Sequence, residues 1–186
     1  TGEYNKFKKE FKRLFSLVPI KNGDHVLDVG CGSGVIAKYI LEMVSENGAL
    51  YELDYAEKMI EENKRFHNDP RIRFLVSDII DLPLPPHSCD VVICFSCFPH
   101  FPEKEKALRA MKRVLKKGGW LAVAHFNSSE ELNNHHRKSN VAVMNDKLPS
   151  EETMKQLLSS SGFKIEKFID ESGFYLLLGQ LIGSDN

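Results

Sequence analysis

Val26-Leu27-Asp28-Val29-Gly30-Cys31-Gly32-Ser33-Gly34 decides how this chain folds. An apolar run, residues 25–29, stops at three glycines on alternate positions. A helical pattern (Ile36, Tyr39, Ile40, Met43, Val44) starts directly behind them. That order predicts a buried strand, a sharp turn, and a helix whose N-terminus faces whatever lies over the turn. The unpaired N–H groups there carry a partial positive charge. The spacing is G-x-G-x-G and position 35 is Val, whereas the dinucleotide fingerprint is G-x-G-x-x-G. Asp28, two residues before Gly30, would repel a pyrophosphate and pair with an ammonium or sulfonium group. The turn therefore predicts a ligand that is cationic at this point.

The same alternation extends outward along the chain. An amphipathic helix is expected over 3–17, with Phe7, Phe11, Leu14, Phe15 and Val18 on one face and lysines on the other. Further strands are expected over 49–53, 71–76, 90–95 and 120–126. Helices are expected over 56–67 and 103–116, and another is opened by Ser150. Residues 164–169 and 174–181 read as an antiparallel hairpin. The prediction is an α/β fold, a doubly wound, mostly parallel seven-stranded sheet with a C-terminal antiparallel hairpin. One domain is expected over 1–186: a lid helix (1–19), a binding core (20–126), a substrate cover (127–149) and a C-terminal helix with its hairpin (150–186).

The chain has 186 residues, 27% of them charged, and a formal net charge of −1. This balance argues against a nucleic-acid-binding domain and a strongly basic membrane-surface module. The apolar runs fall short of the ~20 residues that span a bilayer. The first fifteen residues alternate Lys with Phe and carry no signal-peptide core. Cys31, Cys89, Cys94 and Cys97 then read as free thiols in a reducing cytoplasm. Both a monomer and a homodimer fit the composition.

Two more acids follow later strands. Asp54 ends the second strand, where a carboxylate can accept both hydroxyls of a ribose. Asp78 follows the third, where one can take the exocyclic amine of adenine. Together with the glycine turn, these three acids describe a nucleoside carrying an amino-acid tail.

The chain resembles the class I S-adenosylmethionine-dependent methyltransferases. The likeness rests on the glycine turn, on Leu53-Asp54-Tyr55-Ala56-Glu57-Lys58-Met59-Ile60, and on Ser77-Asp78-Ile79 with Leu82-Pro83-Leu84-Pro85. It continues through Cys89-Asp90-Val91-Val92 and Arg113-Val114-Leu115-Lys116-Lys117-Gly118-Gly119. It covers residues 20–183. It implies a Rossmann-like methyltransferase fold with S-adenosyl-L-methionine as cofactor and S-adenosyl-L-homocysteine as product. Asp28 and the backbone of Gly30, Cys31, Gly32 and Gly34 would hold the methionine moiety, and Asp54 the ribose. Tyr55 and Met59 would flank adenine, Asp78 and Ile79 would contact its amine and ring, and Cys94 and Phe95 would lie beside the sulfonium. Departures are Cys89 where the family has Phe and Lys117 where it has Pro.

Methyl transfer is a displacement reaction, in which a protein supplies proximity and alignment, and a base if the acceptor is O or N. His100, His125 and His136 are the expected substrate-facing set, at or beyond the ends of the fourth and fifth strands. Three imidazoles could also hold a metal or a soft ligand, and a metal-assisted transfer is the alternative. Cys94-x-x-Cys97 reads as cleft lining and pocket wall, since no second pair completes a zinc knuckle. The first helix reads as a lid over the cofactor cleft. Two short covers and no added domain point to a small-molecule acceptor.

Overall fold

The computed structural model describes residues 7–138 and 146–183. Positions 3–6 of the expected first helix and 139–145 of the expected cover therefore lie outside the described residues. One sheet of seven strands runs through the fold in the order β3-β2-β1-β4-β5-β7-β6. The strands are β1 (His25–Val29), β2 (Ala49–Asp54), β3 (Ile72–Val76), β4 (Cys89–Phe95), β5 (Leu115–His125), β6 (Phe163–Glu171) and β7 (Phe174–Leu181). The first five are parallel to one another. β7 enters antiparallel between β5 and β6. The helices are α1 (Lys8–Leu17), α2 (Ala37–Val44), α3 (Glu57–Phe66), α4 (Lys104–Val114), α5 (Ser129–Lys138) and α6 (Glu151–Ser160).

Alternation along the strands builds the two cores. Val26, Leu50, Val91, Ile93 and Ala124 point to one face, where Phe11, Leu14 and Phe15 of α1 and Ile40 and Val44 of α2 cover them. Leu27, Leu53, Val92, Cys94 and Val123 point to the other, against Leu108 and Met111 of α4 and Met154 and Leu158 of α6. α6 starts where its cap predicts: Ser150 Oγ accepts the Thr153 N–H at 3.3 Å. Strand order reverses between β1 and β4, and in such sheets ligands bind beyond the strand ends at that point.

Two boundaries differ from expectation. The helix expected over 103–116 ends at Val114, and β5 starts at Leu115, five residues before Trp120. Tertiary pairing overrides the Gly-Gly stop: Leu115 pairs with Cys89 across an irregular register, and Lys116 Nζ reaches Asp90 Oδ2 at 2.7 Å. Gly118 turns through φ +75° inside the strand. In α3, Met59 and Phe66 are exposed at 38% and 68%, whereas Ile60 and Asn63 are buried.

Candidate functional site

The glycine turn takes the predicted form. Gly30, Gly32 and Gly34 have φ of +66°, +54° and +81°, a region that costs other residues strain. A side chain on Gly30 would put its Cβ 2.6 Å from Cys97 Cβ. Cys97 Sγ in turn donates to Val29 O at 2.9 Å, so the segment after β4 is fastened to the turn.

A cavity of about 610 Å³ opens beside this turn. Its floor is Val29, Gly30 and Leu53, with Asp54 and Tyr55 on one side. Asp54 is 8% exposed; its Oδ2 accepts from Gly32 N–H and its Oδ1 from Ala56 N–H, both at 2.9 Å. A carboxylate has about four acceptor positions, so both oxygens keep capacity toward the cavity. Tyr55 is 80% exposed, and its ring is free to stack on a flat base. Ser77, Asp78 and Ile79 line the next wall; Asp78 Oδ1 accepts the Ile80 N–H at 2.9 Å. The Pro-rich loop behind them is clamped by Arg113, which donates to Leu82 O and Leu84 O at 2.6 Å. Ser96, Cys97, His100 and Asp146 close the remaining side.

Several expected contacts fall elsewhere. Asp28, Gly32, Gly34 and Met59 lie outside the lining of this cavity. Cys94 is wholly buried on the α4 face with its Sγ 3.6 Å from Met111 Sδ, because strand alternation turns it inward. The Cys31 side chain is buried against Asn63, which leaves its expected backbone role in the turn untouched. Phe95 points to the opposite face and into a second cavity of about 820 Å³. Phe7, Phe11, Phe66 and Phe126 share that cavity's wall with Ser33 and Val35. The α1 stripe is therefore not a lid over the first cavity. Phe11 packs on Tyr39, Phe95 and Phe126 at ring separations of 4.9, 5.6 and 4.7 Å, and α1 walls the second cavity. Ser96, at φ +57°, lines both cavities.

The three histidines do meet, but only His100 lines either of these cavities. His100 Nδ1 lies 2.7 Å from Asp146 Oδ2, and His136 Nδ1 contacts the Asp146 carbonyl. The rings of His100 and His136 are 5.4 Å apart. His125 is buried at 2% exposure, and its Nε2 has no hydrogen-bond partner. His125 and His136 are thus buried and line neither cavity. Among the described residues, no three His, Cys, Asp and Glu side chains form a group that could hold a metal ion.

Burial, then the charges of His100 and His136, lowers the pKa of His125 from 6.5 to about 3. An unfolded chain binds this proton below about pH 6.5 while the folded one refuses it, so stability falls as pH drops through that window. The expected slope is up to about 1.4 kcal/mol per pH unit. Urea unfolding of the wild type and His125→Gln at pH 7 and 5 measures it as the difference between the two proteins. Equal losses in both would remove His125 as the cause.

Asp146, Ser96, Glu52 and Asn63 are absent from the sequence-based expectations. Glu52 carried a signal, an acid in an apolar strand, and Asn63 another, an amide on an inward helix face. Asp146 carried none.

A family described as Methyltransferase domain matches residues 27–123, more than half of the chain. The 27-O-demethylrifamycin SV methyltransferase of Amycolatopsis mediterranei is 34% identical over 119 residues, which make up 61% of this chain and 43% of that protein. The O-methyltransferase rstn1 of Aspergillus nomiae is 28% identical over 159 residues, 80% of this chain and 68% of that one. The chain thus spans under half the length of the first of these relatives. A SAM-dependent methyltransferase from Aquifex aeolicus shares the fold with a TM-score of 0.77 at 23% identity, over 92% of this chain and 89% of that one.

Proposed function

Because this chain belongs to the methyltransferase-domain family, whose cofactor is S-adenosylmethionine, we propose that it transfers a methyl group to a small molecule seated in the aromatic second cavity. The observation that carries this reading is Ser96, the residue shared by both cavities.

The first cavity and the turn behind it, where Asp28 lies outside the cavity lining, fit the cofactor. The unpartnered Oδ1 of buried Asp28 suits a cationic group, the side-chain-free turn at Gly30 lets a ligand approach the backbone, and Asp54 keeps acceptor capacity. In this assignment Asp28 and the turn hold the methionine end, Asp54 the ribose, and Tyr55, Asp78 and Ile79 the adenine. Bound there, the cofactor supplies a sulfonium methyl group for displacement. The protein's part is to hold donor and acceptor in line across Ser96. Phe11, Phe95 and Phe126 offer flat apolar contact to a ring-bearing acceptor. His100 lines the first cavity, so it serves as base for an acceptor hydroxyl or amine that reaches past Ser96, with Asp146 orienting its ring from Nδ1. Cys31, Cys89, Cys94 and Cys97 are all free thiols, in keeping with a reducing compartment. No helix among the described residues is long and apolar enough to cross a membrane.

Incubation with methyl-labelled S-adenosylmethionine and a panel of phenols, hydroquinones and aromatic amines tests the proposal. Label in one of them supports it. No transfer to any, with label passing instead to protein or RNA, would overturn the small-molecule assignment. With a working acceptor, Asp146→Asn is expected to lower kcat/KM about tenfold, a small share of the usual acid–base contribution, and to weaken cofactor binding by less than that. An unaltered rate would remove Asp146 from the site.

A further inference from the structure

Asp28 and Glu52 stand opposite each other in the β1–β2 register. Paired positions on neighbouring parallel strands project from one face, about 5 Å apart. Both carboxyls are withdrawn from solvent, at 1% and 0% exposure. Glu52 Oε2 accepts from Asn63 Nδ2 at 2.7 Å, while Glu52 Oε1 and Asp28 Oδ1 have no hydrogen-bond partner among the described residues. Asn63 also underlies the cofactor turn, since a side chain on Gly34 would strike its amide.

The titratable groups around this pair come from each neighbouring element. β2 contributes Asp54, the glycine turn Cys31, and the segment after β4 Cys97; α3 contributes the neutral Asn63 and, at its C-cap, His67, which stands at the same Gly34 and which burial holds toward its neutral form. No lysine or arginine is among them in the described residues. Neither carboxyl enters an ion pair among the described residues. Two buried carboxyls facing each other without a cation do not both ionise; they titrate as a unit.

We infer that Glu52 is a positioning residue for the cofactor's cationic end: Asp28 and Glu52 hold one proton in common, and the arriving cation displaces it to solvent. The O–H bond breaks with its electron pair left on the carboxylate, and buffer accepts the proton. Burial, the dominant cause at both groups, agrees in direction: it lifts Glu52 to about 7 and Asp28 well above the usual carboxylate range. A ligand that prefers the ionised pair releases protons, so its affinity rises with pH until the pair is fully ionised. This inference rests on the reading that S-adenosylmethionine binds at the first cavity.

Isothermal titration of S-adenosylmethionine into wild type and Glu52→Gln, in buffers of different ionisation enthalpy, counts the protons. The ligand's own amino group titrates identically against both proteins and cancels in the difference. The wild type is expected to release more protons than Glu52→Gln. Its Kd is expected to tighten about three- to tenfold more between pH 6 and 7.5. Equal proton counts and parallel pH profiles overturn the inference and leave the cofactor reading intact. An infrared titration of the ligand-free wild type covers the case in which Glu52→Gln does not fold. A protonated-carboxyl stretch that shifts on ¹³C-glutamate labelling and fades from pH 6 to 8 is expected; its absence overturns the shared proton. A protein that shows this band yet binds no S-adenosylmethionine at millimolar concentration overturns the cofactor reading instead.

Discussion

Asp54→Ala is expected to weaken S-adenosylmethionine binding by about 100-fold or more. The carboxylate is proposed to receive the ribose hydroxyls, and it has a second duty visible without ligand. Its two oxygens tie the N–H of Gly32, in the middle of the turn, to the N–H of Ala56, at the start of α3. A hydrogen bond to a charged group contributes about 1.5–3 kcal/mol, and a buried donor left without its acceptor adds to the loss. Two such bonds to the ribose exceed the roughly 2.7 kcal/mol that a 100-fold change represents, and loss of the two to the turn loosens the backbone that the ligand must meet. Asp54→Asn keeps one acceptor oxygen and loses the charge, so an intermediate loss of about tenfold is expected. Isothermal titration of the three proteins orders them. Wild-type affinity in Asp54→Ala would remove the residue from the binding site and S-adenosylmethionine from the first cavity.

Gly30→Ala should cost about 3–5 kcal/mol of stability, the sum of backbone strain and overpacking. The backbone is left-handed there, at φ +66°, and the new Cβ would stand 2.6 Å from the Cβ of Cys97. Neither atom can rotate away, because a Cβ position is fixed by its own backbone. The turn and the segment after β4 would have to separate, breaking the bond from Cys97 Sγ to Val29 O. For a chain of this length the expected fall in Tm is about 10 °C. Adding Cys97→Gly removes the second Cβ, so the double variant should recover the overpacking part and keep the strain. Thermal unfolding of the single and double variants tests this. A Gly30→Ala protein as stable as wild type would contradict the close approach of the two segments.

The turn and the acids Asp28, Asp54 and Asp78 could be read in the sequence because their chemistry is local. Alternate glycines force one kind of backbone, and each acid sits at a strand end that hydrophobic patterning marks by itself. The start of β5 was hidden because Lys116-Lys117-Gly118-Gly119 has the composition of a loop; only pairing of Leu115 with Cys89 makes it strand. Cys94 and Phe95 were placed beside the sulfonium, yet adjacent residues of a strand face opposite ways, and β4 sends one into the core and the other to the second cavity. The histidine set was legible as a cluster and not as a surface: the sequence says that His125 ends β5, while its burial depends on how α5 folds back. Asp146 meets His100 across 46 positions, a distance at which sequence pattern carries no information.

The meeting of the two cavities at Ser96 has a kinetic meaning under the proposed assignment. Donor and acceptor occupy separate chambers, so neither must leave for the other to enter. Turnover then passes through a ternary complex reached in either order of addition. The spent cofactor competes with the donor alone, and an acceptor analogue competes with the acceptor alone. The residue that divides the space thereby also divides the patterns of inhibition.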